Sequence, residues 1–239
     1  MSELKIFRSG KSLTLESGVQ LNDIEIGYHT FGTLNASRDN VLWICHAFTA
    51  NSDAADWWKG MVGEGCVFDP ARYFIVCANI PYNITTPIIF KLLEECSAMQ
   101  GAILMIQKEV ADRILANPGS KDYGLLTLMT RYRADVQLIT KVSRNCFYPR
   151  PEVDSAVIKL MPLSNPRVLV PDEGEFKGLM RSAFQMRRKT MLNICHTYYE
   201  VDKQFAQVKL DTIGINPMIR PEQLSLEDFA RIAVGFKEN

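Results

Sequence analysis

The chain has 239 residues, 47% of them hydrophobic, and its 27 basic residues balance its 27 acidic residues. This length and apolar content predict a globular chain of one large or two small domains. No apolar run approaches the ~18 residues of a membrane-spanning helix, and residues 1–5 lack the apolar core of a secretion signal. The six cysteines have no C-x-x-C spacing and no histidine cluster beside them. We therefore predict reduced, buried thiols, a cytoplasmic location, no membrane partner and no metal.

The charge is divided unevenly along the chain. Residues 1–78 carry 6 basic and 9 acidic residues, a net −3, whereas residues 79–239 carry 21 and 18, a net +3. A mildly basic second part fits a phosphate-rich partner, although many domains that bind no such partner share this balance.

Residues 1–78 consist of short predicted strands and loops, with strands within 5–14, at 23–31 and at 41–45. The runs I-G-Y-H-T-F-G-T-L-N (26–35) and V-L-W-I-C-H-A-F-T (41–49) are similar to the start of the homoserine O-acetyltransferases, which have the α/β-hydrolase fold. Such enzymes need a serine on a sharp strand-to-helix turn, and no G-x-S-x-G occurs in the chain. His46 lies where that family has its oxyanion-hole loop, and we interpret it as a packed loop residue.

The apolar run at 73–78 predicts a buried parallel strand that leads into Asn79-Ile80-Pro81-Tyr82. Open α/β sheets bind ligands at the carboxyl ends of such strands. The amino group of a nucleobase is a poor nucleophile because its lone pair is delocalised into the ring. The side-chain oxygen of Asn79 and the main-chain oxygen of Ile80, which Pro81 holds extended, are two acceptors that could localise that lone pair. Tyr82 offers a ring on which a flipped-out base could stack, or it is an ordinary core residue after a proline turn.

Five sequence blocks from residue 79 onward resemble, in order, the KsgA-type rRNA adenine N6,N6-dimethyltransferases. They are N-I-P-Y-N-I-T-T-P-I (79–88), Q-K-E-V-A-D-R with P-G-S-K-D-Y-G (107–124), F-Y-P-R-P-E-V-D-S-A-V (147–157), F-Q-M-R-R-K-T (184–190) and R-P-E-Q-L-S (220–225). The resemblance implies methyl transfer from S-adenosylmethionine to adenines of small-subunit rRNA. It implies that Asn79 and Ile80 hold the amine, that Asn79 also lies beside the cofactor, and that Tyr82 and Phe147 enclose the adenine ring.

Strands and helices alternate between residues 85 and 161. We predict helices at 87–96, 108–116 and 125–132, and strands at 102–106, 134–142 and 153–161, the last two paired antiparallel. Phe147 lies between these two strands, in a loop that Pro149 and Pro151 stiffen. The alternative to its role at the adenine is a structural hinge whose aromatic side chains pack on the sheet.

From residue 171 onward the pattern predicts about four helices, the longest at 175–195, and Ser225 as the cap of the last. Arg181, Arg188 and Lys189 fall near one face of the longest helix, with Arg187 beside them. By the family resemblance these four cations contact rRNA phosphates, whereas without it such a run would be a solvated face.

The methyl-donor site of that family has no recognisable counterpart in residues 1–78. The family needs a glycine-rich turn after its first strand and acidic residues at the ribose and near the adenine ring of the cofactor. The nearest match, G-M-V-G-E-G (60–65), follows no convincing strand, so we interpret it as a loop.

The predicted fold is α/β, with a mixed, largely parallel sheet and a small C-terminal helical domain. This fold joins a start that is like an α/β-hydrolase to the second half of a Rossmann-like methyltransferase. The predicted domains are residues 1–78, 79–170 and 171–239. The predicted function is a truncated or chimeric rRNA adenine dimethyltransferase that is defective because its S-adenosylmethionine segment is missing. The alternatives are a non-catalytic RNA-binding module and a relic of a homoserine O-acetyltransferase.

Overall fold

The structure is a computed structural model that describes residues 3–10, 12–14, 17–22, 24–46, 51–79, 85–95 and 98–237. The chain divides into two compact units, Met1–Ile84 and Thr85–Asn239. The predicted division into three domains stays a prediction. Among the described helices, none combines the length and the apolar character needed to cross a bilayer.

The first unit contains a four-stranded sheet. Strands β1 (Lys5–Arg8), β4 (Glu25–Phe31), β6 (Phe74–Asn79) and β5 (Val41–His46) lie side by side in that order. β4 is antiparallel to both of its neighbours, whereas β5 and β6 are parallel. Two short strands, β2 (Leu13–Thr14) and β3 (Gln20–Leu21), form a separate antiparallel pair.

One face of this sheet carries the hydrophobic core of the first unit. The buried side chains of Ile44, Ile75 and Cys77 pack there with Ala54, which lies in the one-turn helix α1 (Ala54–Trp57). Side chains alternate between the two faces of a strand, so Trp43 points to the other face, where it is 59% exposed.

The second unit contains a three-stranded sheet in the order β7 (Ala102–Gln107), β9 (Ser155–Pro162) and β8 (Ala134–Val142). Both pairings are antiparallel, which confirms the predicted pair formed by β8 and β9. The expectation of a largely parallel sheet is wrong for the described strands, because only β5 and β6 run parallel there. Continuous apolar runs indicate that a strand is buried but do not specify the direction of its partner.

Three helices cover one face of this second sheet. They are α2 (Thr85–Glu95), α3 (Lys108–Leu115) and α4 (Leu125–Arg133), all close to their predicted positions. Alternation in β9 buries Ala156, Ile158 and Leu160 beneath them. The buried partners in the helices are Ile89, Ala111, Ile114 and Leu126.

The rest of the second unit is helical, with α5 (Glu173–Gln185), α6 (Met191–Tyr198), α7 (Lys203–Thr212) and α8 (Leu226–Lys237). The prediction of one helix over 175–195 is wrong, because the helix stops at Gln185 and a new one begins at Met191. The amides of Met191 and Leu192 donate to the carbonyls of Ile219 and Pro217, at 2.8 and 2.9 Å. These long-range hydrogen bonds favour a break that the local sequence does not show. Ser225 caps α8 as predicted: its hydroxyl accepts the amide of Asp228 at 3.1 Å.

Among the described cysteines, Cys66, Cys146 and Cys195 are free thiols. Cys77 and Cys195 are buried, as predicted, and burial raises the pKa of the Cys195 thiol to about 12. The prediction of burial is wrong for Cys146, which lies exposed in the loop between β8 and β9, next to Phe147.

Thr127 provides a test of packing in the second unit. This fully buried residue of α4 donates its hydroxyl to the carbonyl of Arg113 and accepts the amide of Gly124 at 3.2 Å. Thr127→Val keeps the shape but leaves both main-chain groups without that partner. We expect the free energy of unfolding to fall by about 1–3 kcal/mol. Urea denaturation followed by far-ultraviolet circular dichroism measures it.

The matched control is Thr140→Val, which removes a hydroxyl from an exposed position of β8. It should change the free energy of unfolding by less than about 0.5 kcal/mol. Equal losses in the two variants would contradict the role given to Thr127.

Candidate nucleic-acid site

The first part of the predicted site is the end of β6. Asn79, the last residue of β6, lies opposite His46, the last residue of β5, so both end at the carboxyl edge of a parallel pair. The predicted strand before Asn79 is therefore confirmed. Ile80, Pro81 and Tyr82 lie outside the described residues, as does the side chain of Asn79, and their roles stay predictions.

The glycine-rich run at 60–65 forms a loop that closes on itself. Val62 pairs with Phe68, and the amide of Gly65 donates to the carboxylate of Asp69 at 3.0 Å. Hydrogen bonds from the amides of Ala71 and Gly65 hold the pKa of Asp69 below its usual range. The run follows α1 rather than a strand, which confirms its interpretation as a loop. The described residues of the first unit therefore do not fit a methyl donor that needs glycines at a strand end.

The loop that carries Phe147 is held together at its base by Asp154. One side-chain carboxylate oxygen of Asp154 accepts a hydrogen bond from the amide of Arg144 at 2.9 Å. The main-chain carbonyl of Asp154 accepts a hydrogen bond from the amide of Lys108, also at 2.9 Å. The guanidinium of Arg144 also donates to the carbonyl of Glu152 at 2.8 Å. These bonds fix both ends of residues 144–154. Within this loop Phe147 is half-buried, and the neighbouring Tyr148 is fully exposed.

Lys108 places a positive charge near the base of the same loop. Its ammonium group pairs with the carboxylate of Asp112. The hydrogen bond and the charge of Asp112 raise the pKa of Lys108, and Asp122 and Asp154 add to this effect. Lys108 therefore stays protonated at physiological pH and offsets the negative charge of Asp154.

The four predicted phosphate contacts are exposed but lie in two different settings. Arg181 is on α5, whereas Arg187, Arg188 and Lys189 form the turn between α5 and α6. Arg187 donates to the carbonyl of Lys121 at 3.0 Å, and its Nε lies 3.9 Å from the carboxylate of Glu222. Across the described part of the chain, no carboxylate lies within ion-pair distance of Arg181, Arg188 or Lys189.

A cavity of about 340 Å³ lies between α3, α4 and the start of α8. No described member of the predicted site lines it. Arg131 donates to the carbonyls of Leu115 and Ala116 at the end of α3, at 3.1 and 2.7 Å. Arg167, the second arginine of the cavity wall, pairs with Asp135 at 2.6 Å. Both guanidinium groups in the cavity wall are therefore bonded to oxygen atoms of the protein.

The histidines supply no hydrolase site among the described side chains. His29 Nδ1 lies 2.8 Å from the hydroxyl of Ser52, and both residues are buried, which ties β4 to the chain before α1. A nucleophile needs access to its substrate, and this pair lacks it. The side chain of His46 lies outside the described residues. Within the described ranges, no three His, Cys, Asp or Glu side chains cluster closely enough to hold a metal ion.

Sequence reasoning missed Asp154 and Arg144, which hold the Phe147 loop, and Asp154→Ala tests their role. The variant loses the acceptor of the Arg144 amide, a charge-assisted bond worth about 1.5 kcal/mol or more. We expect amide exchange at Arg144 to become about tenfold faster in hydrogen-exchange mass spectrometry.

Glu152→Ala is the matched control, since only the main-chain carbonyl of Glu152 takes part in the loop bonds. It should leave exchange at Arg144 unchanged. The role of Asp154 is refuted if the two variants exchange at the same rate.

Comparisons with known proteins cover most of the second unit and part of the first. A family model described as "Ribosomal RNA adenine dimethylase" matches residues 46–238. The Ribosomal RNA small subunit methyltransferase A of Clostridium botulinum (strain Loch Maree / Type A3) is 47% identical over 156 residues, which are 65% of this chain and 56% of that protein. The chain thus spans a little over half the length of this curated relative.

Two solved structures bear on the fold. A dimethyladenosine transferase from Plasmodium falciparum is 30% identical, with a TM-score of 0.57 over 67% of this chain and 65% of that one. A homoserine O-acetyltransferase from Bacillus anthracis is 35% identical over 33% of this chain and 23% of that one, with a TM-score of 0.30. The second score is too low to show a shared fold, so the hydrolase-like start stays a prediction. The first supports a Rossmann-like methyltransferase fold with a mixed sheet and helices, and with the match over residues 46–238 the chain belongs to the ribosomal RNA adenine dimethylase family.

Proposed function

We propose that this chain derives from an rRNA adenine N6,N6-dimethyltransferase, keeps the part that contacts RNA and holds the base, and has lost methyl-donor binding. The observation that carries this proposal is the contrast between the two units. In the second unit, hydrogen bonds to Asp154 hold the Phe147 loop, and exposed cations have no carboxylate partner among the described residues. In the first unit, the described glycine-rich run is hydrogen-bonded to Asp69.

The base-holding part of the proposal assigns one task to each residue. The amide oxygen of Asn79 and the carbonyl of Ile80, fixed by Pro81, accept hydrogen bonds from the adenine amino group. Tyr82 and Phe147 stack on opposite faces of the flipped-out ring. In the family S-adenosylmethionine supplies the methyl group, with Asn79 beside it. Proximity of amine and donor provides much of the acceleration in such a reaction, so a chain that cannot hold the donor is inactive.

The RNA-contacting part of the proposal rests on charge. Exposed Arg181, Arg188 and Lys189 would neutralise phosphates, which position an RNA without reading its sequence. The similar protein of Clostridium botulinum is named for small-subunit rRNA, and we propose small-subunit rRNA, or the assembling small subunit, as the partner of this chain. Free thiols fit the reducing cytoplasm, where that partner is found.

For the first unit we propose a chimeric origin, with residues 1–78 taken from a homoserine O-acetyltransferase-like protein. The buried pair of His29 and Ser52 offers no accessible nucleophile, so acetyl transfer to homoserine should not exceed background. An RNA-binding module without catalysis is the second candidate, because the exposed cations serve it equally well. Both candidates predict no methyl transfer to unmethylated rRNA, and they differ in whether Asn79, Ile80 and Tyr82 still hold a flipped-out adenine.

The chain should bind rRNA but not S-adenosylmethionine. In filter binding, a small-subunit rRNA fragment should be retained by the chain, because the cations that contact phosphates are present. In isothermal titration, S-adenosylmethionine should give no binding heat. Micromolar binding of the donor would mean that residues 1–78 rebuild its site and would contradict the proposed loss of donor binding, and absence of RNA binding would remove the proposal altogether.

Cys146 gives a local report on the Phe147 loop. This exposed thiol should react with iodoacetamide, and a saturating rRNA fragment should slow that reaction if RNA covers the loop. The internal control is half-buried Cys66, whose alkylation rate should not change. Mass spectrometry of both peptides gives the two rates, and equal rates at Cys146 with and without RNA would show that the loop is not contacted.

A further inference from the structure

The cavity between α3, α4 and the start of α8 has an apolar interior. Four residues of its wall are at most 4% exposed, and they are Ile114, Tyr123, Leu128 and Leu226. Its volume of about 340 Å³ lies within the range of small-molecule sites, which combine a mostly apolar lining with a few polar groups. No described residue that we assign to the adenine or to the rRNA phosphates belongs to this wall. A ligand bound here would therefore be separate from the RNA.

Four charged residues complete the wall of the cavity, and two of them neutralise each other. Arg167 pairs with Asp135 at 2.6 Å. The other two are half-buried Arg131 on α4 and exposed Glu227 on α8. Within the described ranges, neither of these two has a group of opposite charge at ion-pair distance. The wall is thus left with one positive and one negative charge that are available to a ligand.

Arg131 is held in place but keeps donors for a ligand. Its guanidinium donates to the carbonyls of Leu115 and Ala116 and to the side-chain oxygen of Asn117, and all three bonds come from Nη2. Its Nε and Nη1 make no side-chain hydrogen bond to any residue that the structure describes. Because the three bonds anchor the guanidinium to the end of α3, little conformational freedom remains to be lost when a carboxylate binds.

Tyr123 lies close to both of these charges. Its hydroxyl donates to the carbonyl of Leu224 at 2.8 Å. Burial raises the pKa of Tyr123, and the charge of Arg131 opposes this rise whereas the charge of Glu227 adds to it. Charges act on a titrating group mainly over short distances, because salt and water screen them. Helices α4 and α8 therefore bring opposite charges to the same part of the cavity, around one buried hydroxyl.

We propose that this cavity binds a free amino acid with an apolar side chain. The carboxylate of the ligand accepts charge-assisted hydrogen bonds from the unused donors of Arg131, and its ammonium group pairs with Glu227. Its apolar side chain packs against Ile114 and Leu128. A simple anion would be repelled by Glu227 and a simple cation by Arg131, so the two charges favour a molecule that carries both signs. This site goes beyond the proposed function and does not depend on it.

Isothermal titration of the whole chain tests the site with ligands that differ in one charge. The probes are L-leucine and L-phenylalanine, with 4-methylpentanoate as the leucine analogue without an ammonium group and 3-methylbutylamine as the analogue without a carboxylate. At least one of the two amino acids should bind with a dissociation constant below about 1 mM. Each analogue should bind at least about tenfold more weakly than L-leucine, because it leaves one charge of the wall unmatched.

Glu227→Gln separates the two ends of the ligand. Glu227 is exposed and takes part in no ion pair among the described residues, so this variant should fold normally. It should weaken L-leucine binding about tenfold and should not weaken binding of 4-methylpentanoate, which has no ammonium group to lose a partner. The matched control is Glu109→Gln, which removes an exposed carboxylate of α3 that does not line the cavity, and it should change neither affinity.

Arg131→Lys tests the other end. It keeps the positive charge but loses the anchored guanidinium, so it should weaken L-leucine and 4-methylpentanoate by the same factor and leave 3-methylbutylamine unchanged. Circular dichroism shows whether each variant is folded. Glu227→Gln carries the test alone if Arg131→Lys is not folded.

Three results would overturn this proposal. The first is absence of binding by both amino acids at about 10 mM. The second is 4-methylpentanoate binding as tightly as L-leucine, which would reassign the cavity to simple carboxylates. The third is an equal effect of Glu227→Gln and Glu109→Gln on L-leucine, which would place the ligand elsewhere. None of these measurements uses RNA, so the proposed function stands or falls separately.

Discussion

Helix α4 is buried on both sides, and the second unit depends on this constraint. Leu126 packs into the core beneath the three-stranded sheet, whereas Leu128, Met129 and Tyr132 pack into the core shared with the C-terminal helices. A helix that is apolar around most of its circumference must be covered on every side. The sheet that carries the Phe147 loop and the helices that carry the cations are therefore parts of one packed body. For an RNA that contacts both, the distance between the Phe147 loop and the cations is therefore fixed.

Much of the second unit could be predicted from the sequence because its elements follow local rules. Alternation in β9 and the helical spacing in α2 and α3 indicate which faces are buried. The break between α5 and α6 could not be predicted, because it depends on hydrogen bonds to Pro217 and Ile219, far along the chain. The antiparallel pairing of β7 with β9 could not be predicted either, since an apolar run fits a parallel or an antiparallel neighbour.

The candidate site shows the same division between local and long-range information. Motifs pointed to Phe147 and to the Arg-Arg-Lys run, but they did not show that Asp154 holds the loop or that Arg187 is bonded to the carbonyl of Lys121. Both facts depend on residues brought together by folding. Each unit also leaves apolar side chains exposed on its sheet, with Trp43 at 59% and Ile103 at 71%.

The central claim is that this chain keeps RNA binding without methyl-donor binding, and equilibrium dialysis tests it most directly. Labelled S-adenosylmethionine is dialysed against the chain already saturated with a small-subunit rRNA fragment, so that a donor site completed by RNA would also be detected. The account predicts equal label on both sides of the membrane. Retention of one donor per chain would contradict it.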